Sequence, residues 1–422
     1  MKWLTFVLGV ALAGGTSLAQ PQSSSTDRWI LTGTRLYVAP NLPPVDDAWV
    51  LVKGGKIEAM GSTPVRPPKG VRSNSACSGG VITAGFQNSH VHFMGPRFEH
   101  ADTQPRAQLE HSLVLMLTGW GYTTVVDTGS DVANTVALRQ RIERGELQGP
   151  AILTAGIPLF PVNGIPIYLR DAPPELLRLL AQPATAEDAV AVVGNNFARG
   201  ANGTKLFIAT PQGERVIKRI SAEIAAAAAD ETHRRGGLVM AHPTDLQGVK
   251  DAVAAGVDII VHTTIDPPGS IWTDELIGTL RARNVSLIPT LKLWTYELNK
   301  AQVPTKFEEL AVQDAQSQLK AFSDAGGQVL FGTDVGYMPL FDPSDEYVLM
   351  TQAGLTSMQI LASLTTAPAA RWNAEARRGR VQPGLDADLV VLNGDPGVNV
   401  RKFADVKCTI RGGREVYRQT KS

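Results

Sequence analysis

His90 and His92 stand one residue apart at the end of the stretch Thr83-Ala84-Gly85-Phe86-Gln87-Asn88-Ser89. Alternate side chains of a β-strand share a face, so the two imidazoles project together while Val91 points the other way into packing. Two neutral imidazoles at a strand end supply half of a tetrahedral or trigonal-bipyramidal metal site. The same spacing also occurs in surface pairs and in cores, so the reading depends on what else the chain can bring to that place. The remaining candidates are His242, His262 and Asp334, each at the end of a short apolar run, and Lys205, which stands just ahead of Leu206-Phe207-Ile208.

The elements that must position them follow from the pattern. Residues 28–82 read as short strands and turns, including Trp29–Tyr37 and an Ala48–Gly61 hairpin with a Gly54-Gly55 turn. From residue 84 the texture changes to short strands alternating with helices. Strands are expected at Thr123–Val126, Ala151–Ala155, Thr204–Ile208, Leu238–Ala241, Ile259–Val261, Ser286–Pro289 and Val329–Gly332, with the strand ending at His90/His92 making the eighth. Helices are expected at Ser221–Arg235, with a Ser cap and a Gly236-Gly237 stop, and at Gln247–Ala255. Near-continuous Val/Ile/Leu strands alternating with helices imply a parallel sheet covered on its outer face, and eight units fit a (β/α)8 TIM barrel over residues 84–376. Strand texture returns at Gly384–Leu392 and at Val406–Val416, the latter with a Gly412-Gly413 turn. Residues 28–83 and 377–418 are therefore expected to pair into one small β-sandwich domain, giving an α/β protein overall.

Reactive groups in such a barrel sit at the C-terminal ends of the strands. Lys205 falls on the fourth strand, His242 ends the fifth, His262 ends the sixth, Asp334 ends the eighth, and His90 and His92 end the first. The other histidines fall elsewhere: His111 on the first barrel helix, His233 solvated on the Ala-rich helix, and His100 in the loop after the first strand, where it could approach the mouth.

Composition bounds the rest. The chain has 422 residues, with 40 Lys+Arg against 40 Asp+Glu, so charge gives no case for nucleic acid or an anionic membrane as partner. Lys2, the apolar stretch Trp3 to Ala13 and Ser17-Leu18-Ala19 read as a signal peptide over residues 1–19, followed by a polar leader over residues 20–26. An uncleaved anchor is the alternative. No later segment is long and apolar enough to span a bilayer, so an exported protein, periplasmic or secreted, is expected. Cys77 and Cys408 are expected as two buried free thiols; export makes a disulfide the chemical alternative.

The motifs together resemble the metal-dependent amidohydrolase superfamily, in its imidazolonepropionase-like and prolidase-like branch. The resemblance rests on Ala84–His92, Gly121–Asp127, Gly200–Lys205, Val239–His242, Asp258–His262, Gly332–Asp334 and the tail from Thr365–Ala370 through Gly379–Val390, and it spans residues 28–418. It implies that His90, His92 and Asp334 hold an inner divalent ion and that His242 and His262 hold a second. It also implies that Lys205, carboxylated by carbon dioxide, bridges the two. Zinc is the default metal for such a set. A mononuclear site that does not need Lys205 is the alternative. Two departures stand out: Ala84 and Asn88 where the family commonly has Pro and Asp, and Pro243 directly after His242.

The implied chemistry is hydrolysis by a metal-activated water, with Asp334 taking its proton and returning it to the leaving amine. The expected substrate is a small molecule with an amide bond, most simply cleaved by a dipeptidase or N-acyl amino acid hydrolase. A cyclic-amide, lactone or xenobiotic amide hydrolase, and a non-catalytic metal-binding barrel, are the alternatives. Arg170 or Lys292, the latter in one segment with Tyr296, is a candidate to pair with a substrate carboxylate; the alternative is that both are ordinary rim charges. Asp127 is open between a mouth residue and a turn acceptor. A homo-oligomer is compatible with the sequence.

Overall fold

The computed structural model describes residues 28–62, 71–170, 172, 174, 177, 180–213, 216–266 and 269–420. The signal-peptide and leader assignments lie outside the described residues.

The terminal segments contribute β1 (Arg28–Leu36), β2 (Val45–Lys53), β3 (Lys56–Ser62), β4 (Arg72–Ser73) and β5 (Gly80–Ala84). The central segment contributes β6 (Phe86–Val91), β7 (Tyr122–Asp127), β8 (Ala151–Thr154), β9 (Gly203–Phe207), β10 (Ala209–Gly213), β11 (Val216–Arg219), β12 (Leu238–His242), β13 (Ile259–Val261) and β14 (Ser286–Ile288). β15 (Leu389–Leu392), β16 (Val406–Arg411) and β17 (Arg414–Arg418) close the chain.

The expected sandwich is instead one eight-stranded sheet in the order β17-β16-β15-β5-β1-β2-β3, with β4 also against β1. The join is the antiparallel pairing of β5 with β15, which puts strands from both ends of the chain into one ladder. The sheet curls until the two Gly-Gly hairpin turns meet: a Cβ on Gly413 would lie 2.9 Å from Gly55 Cα. Its buried face packs Trp29, Leu31, Val50, Val52, Leu389, Val391 and Ile410 into one cluster. Cys77 and Cys408 form a disulfide inside it, across a sequence separation of 331. This corrects the free-thiol expectation, and the cause is local: β5 and β16 both flank β15, which brings the segments carrying the two cysteines to a Cα–Cα distance of 5.6 Å.

The barrel strands form two parallel pieces, β6-β7-β8 and β9-β12-β13-β14. Single contacts span the seams: Asn202 N–H to Thr154 O on one side, and Leu330 N–H to Leu287 O and Ser89 N–H to Phe331 O on the other. The expected eighth strand, Val329–Gly332, makes only a parallel bridge from Val329 to Leu287. It is short and turns at once into Thr333-Asp334, where Asp334 has φ 57°. Inside the ring Met240, Ile259, Val261, Ile288 and Leu330 pack together, while Val91, Val125 and Val239 face the surrounding helices. The two cores alternate along the strands, as the period of two requires.

The helices begin where capping residues stand. Ser221 accepts from Ile224 N–H at the head of helix Ala222–Arg234, whose buried face of Ile224, Ala225, Ala228, Ala229 and Thr232 packs closely because its side chains are small. Asp245 accepts from Gly248 N–H at the head of helix Leu246–Ala254. β10 and β11 form a separate hairpin beyond the fourth barrel strand, a feature with no clear mark in the pattern. Among the described residues no helix is long and apolar enough to cross a membrane.

Candidate metal centre and active-site cavity

β6 delivers His90 and His92 to the barrel mouth with Val91 buried in the outer core between them. Their Nε2 atoms lie 3.1 Å apart, and both face Asp334 Oδ1, at 3.2 Å from His90 and 3.0 Å from His92. His92 Nδ1 lies 2.7 Å from Gly129 O. A carbonyl only accepts, so Nδ1 carries the proton and Nε2 is left with a bare lone pair. Burial lowers the His90 pKa to about 4, which favours its neutral ring. Asp334 Oδ1 has no hydrogen-bond donor. Burial raises the Asp334 carboxyl, but His90 and His92 outweigh it and hold it well below the ordinary carboxylate range. The two Nε2 atoms and Asp334 Oδ1 thus converge on one buried point. A divalent cation fits that donor set.

His262 and His242 complete the ring. His262 Nε2 is 3.9 Å from Asp334 Oδ2, and its Nδ1 meets the Thr290 hydroxyl. The His262 ring lies 4.9 Å from that of His90 and 4.8 Å from that of His242. Burial lowers His242 to about 3 and takes His262 well below its ordinary value, which favours the neutral ring in both. Lys205 is 1% exposed, with Nζ over the Phe207 ring, and burial drops its pKa to about 8 against the opposing pull of Asp334. All six expected site residues line one cavity.

The backbone is strained where these groups emerge. His262, Thr290 and Asp334 have φ of 77°, 44° and 57°, a region costly for a β-branched or ring-bearing residue. Such conformations cost roughly 1–3 kcal/mol each and persist only where the surroundings impose them. They occur where His262 and Asp334 enter the cavity and where Thr290 meets the His262 ring.

Two supporting residues explain open points of the sequence. Asn88 donates from Nδ2 to Thr333 Oγ1 at 2.7 Å and accepts from His90 N–H at 3.1 Å. It ties the first strand to the segment carrying Asp334 by a neutral bond, so the missing charge is not needed for that tie. Asp127 is fully buried and is a turn acceptor. Its Oδ1 accepts from Ser130 Oγ (2.6 Å) and Gly129 N–H (3.2 Å), and its Oδ2 from Thr154 Oγ1 (2.8 Å) and Thr135 Oγ1 (3.1 Å). It therefore fixes the loop whose Gly129 carbonyl sets the tautomer of His92.

The expected substrate contacts are placed elsewhere. Arg170 donates to Gln212 O and Oε1, and Lys292 pairs with Asp345 at 3.1 Å and reaches Asp342 O; neither lines the cavity. Tyr296 lies behind the wall, its ring 6.3 Å from that of Tyr337. His100 does not line the cavity, His111 is exposed on the first helix, and His233 is not free but bonds Asp258 Oδ2 at 2.8 Å.

The cavity has a volume of about 260 Å³. Its outer wall is mostly apolar, with Phe160, Phe207, Leu293 and Trp294, and carries Tyr168, Glu297 and Tyr337 as polar groups. Sequence reading missed these. The signal for three of them was helical spacing: Leu293, Trp294 and Glu297 share one face of helix Leu291–Lys300.

Known proteins resemble the chain in sequence and in fold. The chain resembles an uncharacterised protein of Mycobacterium tuberculosis, 28% identical over 187 residues, which are 42% of this chain and 47% of that protein. The match therefore spans about half the length of that curated relative. Among solved structures, a Xaa-Pro dipeptidase with methionine bound in its active site superimposes with a TM-score of 0.78 at 18% identity, over 93% of this chain and 100% of that one. A prolidase complexed with N-methylphosphonate-L-proline gives 0.74 at 23% identity, over 93% and 100%. The ochratoxinase of A. niger gives 0.75 at 18% identity, over 92% and 96%. These likenesses place the fold among TIM barrels. The model of the amidohydrolase family matches residues 81–416, which include every residue of the metal centre described above. The chain belongs to the amidohydrolase family.

Proposed function

We propose that the chain is a metal-dependent hydrolase that cleaves the amide bond of a small molecule, most simply as a dipeptidase. The observation that carries this reading is the convergence of the His90 and His92 Nε2 atoms on the donor-free Asp334 oxygen, at the floor of a cavity. The fold shared with a Xaa-Pro dipeptidase supports the dipeptidase form. The apolar outer wall supports a second form, hydrolysis of a less polar amide, as does the likeness to molinate hydrolase and phenylurea hydrolase B.

In this proposal His90, His92 and Asp334 hold one divalent ion, and His242 and His262 a second. Zinc fits the nitrogen-rich donors. Bound there, such ions polarise a carbonyl and bring the pKa of water towards neutrality. The chain's own residues do the rest. With a pKa near 8, Lys205 is partly neutral at pH 7, and its amine can add to carbon dioxide, releasing a proton and leaving an anionic carbamate. Asp334, held ionised, accepts a proton from water through a carboxylate oxygen and passes it to the leaving nitrogen. The apolar wall excludes bulk water from the scissile bond.

We also infer export. The Cys77–Cys408 disulfide supports an oxidising compartment, in keeping with the N-terminal segment.

The test is metal analysis together with a dipeptide and N-acyl amino acid library. About two equivalents of metal are expected, falling towards one in Lys205→Met, with hydrolysis lost on chelation and restored by metal. Full hydrolysis by metal-free protein refutes the proposal.

A further inference from the structure

Proposals that place a substrate carboxylate in the site need a cation to receive it. Among the described residues, the only cationic side chain on the cavity wall is Lys205, on the floor among the metal-site residues. The carboxylates on the wall beyond the metal-site residues, Asp131 and Glu297, have the opposite sign, and Asp131 is engaged by Ala133 N–H as the cap of helix Val132–Glu143. Glu297 is carried by helix Leu291–Lys300, one turn beyond Leu293 and Trp294, and all three line the cavity. Its Oε1 accepts the Tyr337 hydroxyl at 2.7 Å. Lys300 approaches the same oxygen at 3.9 Å and lies over the outer part of this cluster, 5.6 Å from the Tyr337 ring centroid, from a half-exposed position outside the lining, which leaves Oε2 and the Tyr168 ring to a ligand. Oε2 has no partner among the described residues.

The surroundings of this carboxylate are aromatic. The ring of Tyr337 lies 5.9 Å from that of Tyr168, and both tyrosines line the cavity. Burial raises the pKa of each hydroxyl, with the negative charges of Glu297 and Asp334 adding to it, so both stay neutral donors throughout the working range. Tyr168 lines the same cavity as Asp334 and Glu297. A carboxylate with one free oxygen, held by a tyrosine and flanked by π faces, has the chemistry that receives an ammonium group. It repels a carboxylate.

We propose that Glu297, held by Tyr337 and flanked by Tyr168, is the specificity determinant for a protonated amine on the substrate. The inference rests on the amide-hydrolase reading and sharpens it. A free amine is present in an unblocked dipeptide and absent from an N-acyl amino acid, so the cavity selects the first over the second. Trp294 and Leu293 then take the apolar part of the same substrate.

Matched pairs test this with the metal-loaded protein: dipeptides against their N-acetyl forms, and aminoacyl anilides against N-acetylaminoacyl anilides. At pH 7 the free amine is expected to raise kcat/KM at least about tenfold within each pair, the value of a hydrogen bond to a charged group. Glu297→Gln is expected to collapse that ratio towards one. Tyr337→Phe, which keeps the carboxylate, is expected to retain the preference for the amine. A catalysis-independent arm titrates benzylamine against benzyl alcohol by calorimetry, with tighter binding of the amine expected in the native protein and lost in Glu297→Gln. Equal rates within the pairs, or a ratio that survives Glu297→Gln, overturns the proposal. If no amide is cleaved at all, the hydrolase reading fails, and the calorimetric arm decides the amine site by itself: equal affinity for the two probes overturns it.

Discussion

Glu346 offers a quantitative check on how the helix bearing Glu297 is held. The residue is 1% exposed and lies in helix Ser344–Gln352. Its Oε1 accepts from Leu291 N–H at 2.9 Å and its Oε2 from Lys292 N–H at 2.8 Å. These are the first donors of helix Leu291–Lys300, whose N-cap Thr290 makes no side-chain cap of its own. Burial raises the carboxyl to about 7 from 4.5, against the backbone bonds and nearby Lys292. The sign follows from proton counting. Below pH 4.5 both states are protonated and there is no penalty. Between 4.5 and 7 the unfolded chain ionises first, so stability falls as pH rises. Above 7 the penalty is complete, at about 3 kcal/mol from 1.36 kcal/mol per unit. Glu346→Gln removes this titration but loses one of two acceptors, which costs about 1 kcal/mol. In urea unfolding of the native protein and the variant, the variant should be the less stable by about 1 kcal/mol at pH 4. It should be the more stable by about 2 kcal/mol at pH 8. Taking the difference between the two proteins cancels other titrations. A gap that does not change with pH refutes the reasoning.

Two further outcomes follow from the site and the terminal sheet. Asp127→Asn swaps one acceptor for a donor under the loop that holds the Gly129 carbonyl; metal affinity by chelator competition should fall about 10–100-fold, and an unchanged affinity would remove Asp127 from the support of His92. Cys408→Ser opens a link across a separation of 331 residues, so unfolding free energy should drop by about 3–5 kcal/mol, and equal urea midpoints for the two proteins would show that the link contributes nothing.

Much of the barrel was legible because its strands are short runs of Val, Ile and Leu between polar helices, and their boundaries agree within a residue or two. The six residues of the candidate centre were legible because strand ends are where a parallel barrel exposes side chains. The closure was less so. Val329–Gly332 has strand composition, yet the demand to aim Asp334 inward with φ 57° leaves it only a bridge. The substrate wall was less legible still. Arg170 and Lys292 have the right chemistry for a carboxylate, but each finds a closer partner, in Gln212 and Asp345. Loop side chains follow local partners that no periodicity encodes. Glu297 sits on a helix, where spacing does encode direction, and could have been found by counting from Trp294.

The β5–β15 pairing has a consequence for how the molecule is made. Strand β5 is flanked by β1 on one side and by β15, some 300 residues later, on the other. Until the last part of the chain is available, β5 has an open apolar edge and the first sheet cannot close. Contacts of such long range slow folding, because the loop must close before they stabilise anything. A ribosome-bound chain therefore cannot finish this layer as it emerges. That delay is compatible with the export proposed above: the ladder that joins the two ends leaves the chain unfinished until its last strands are available.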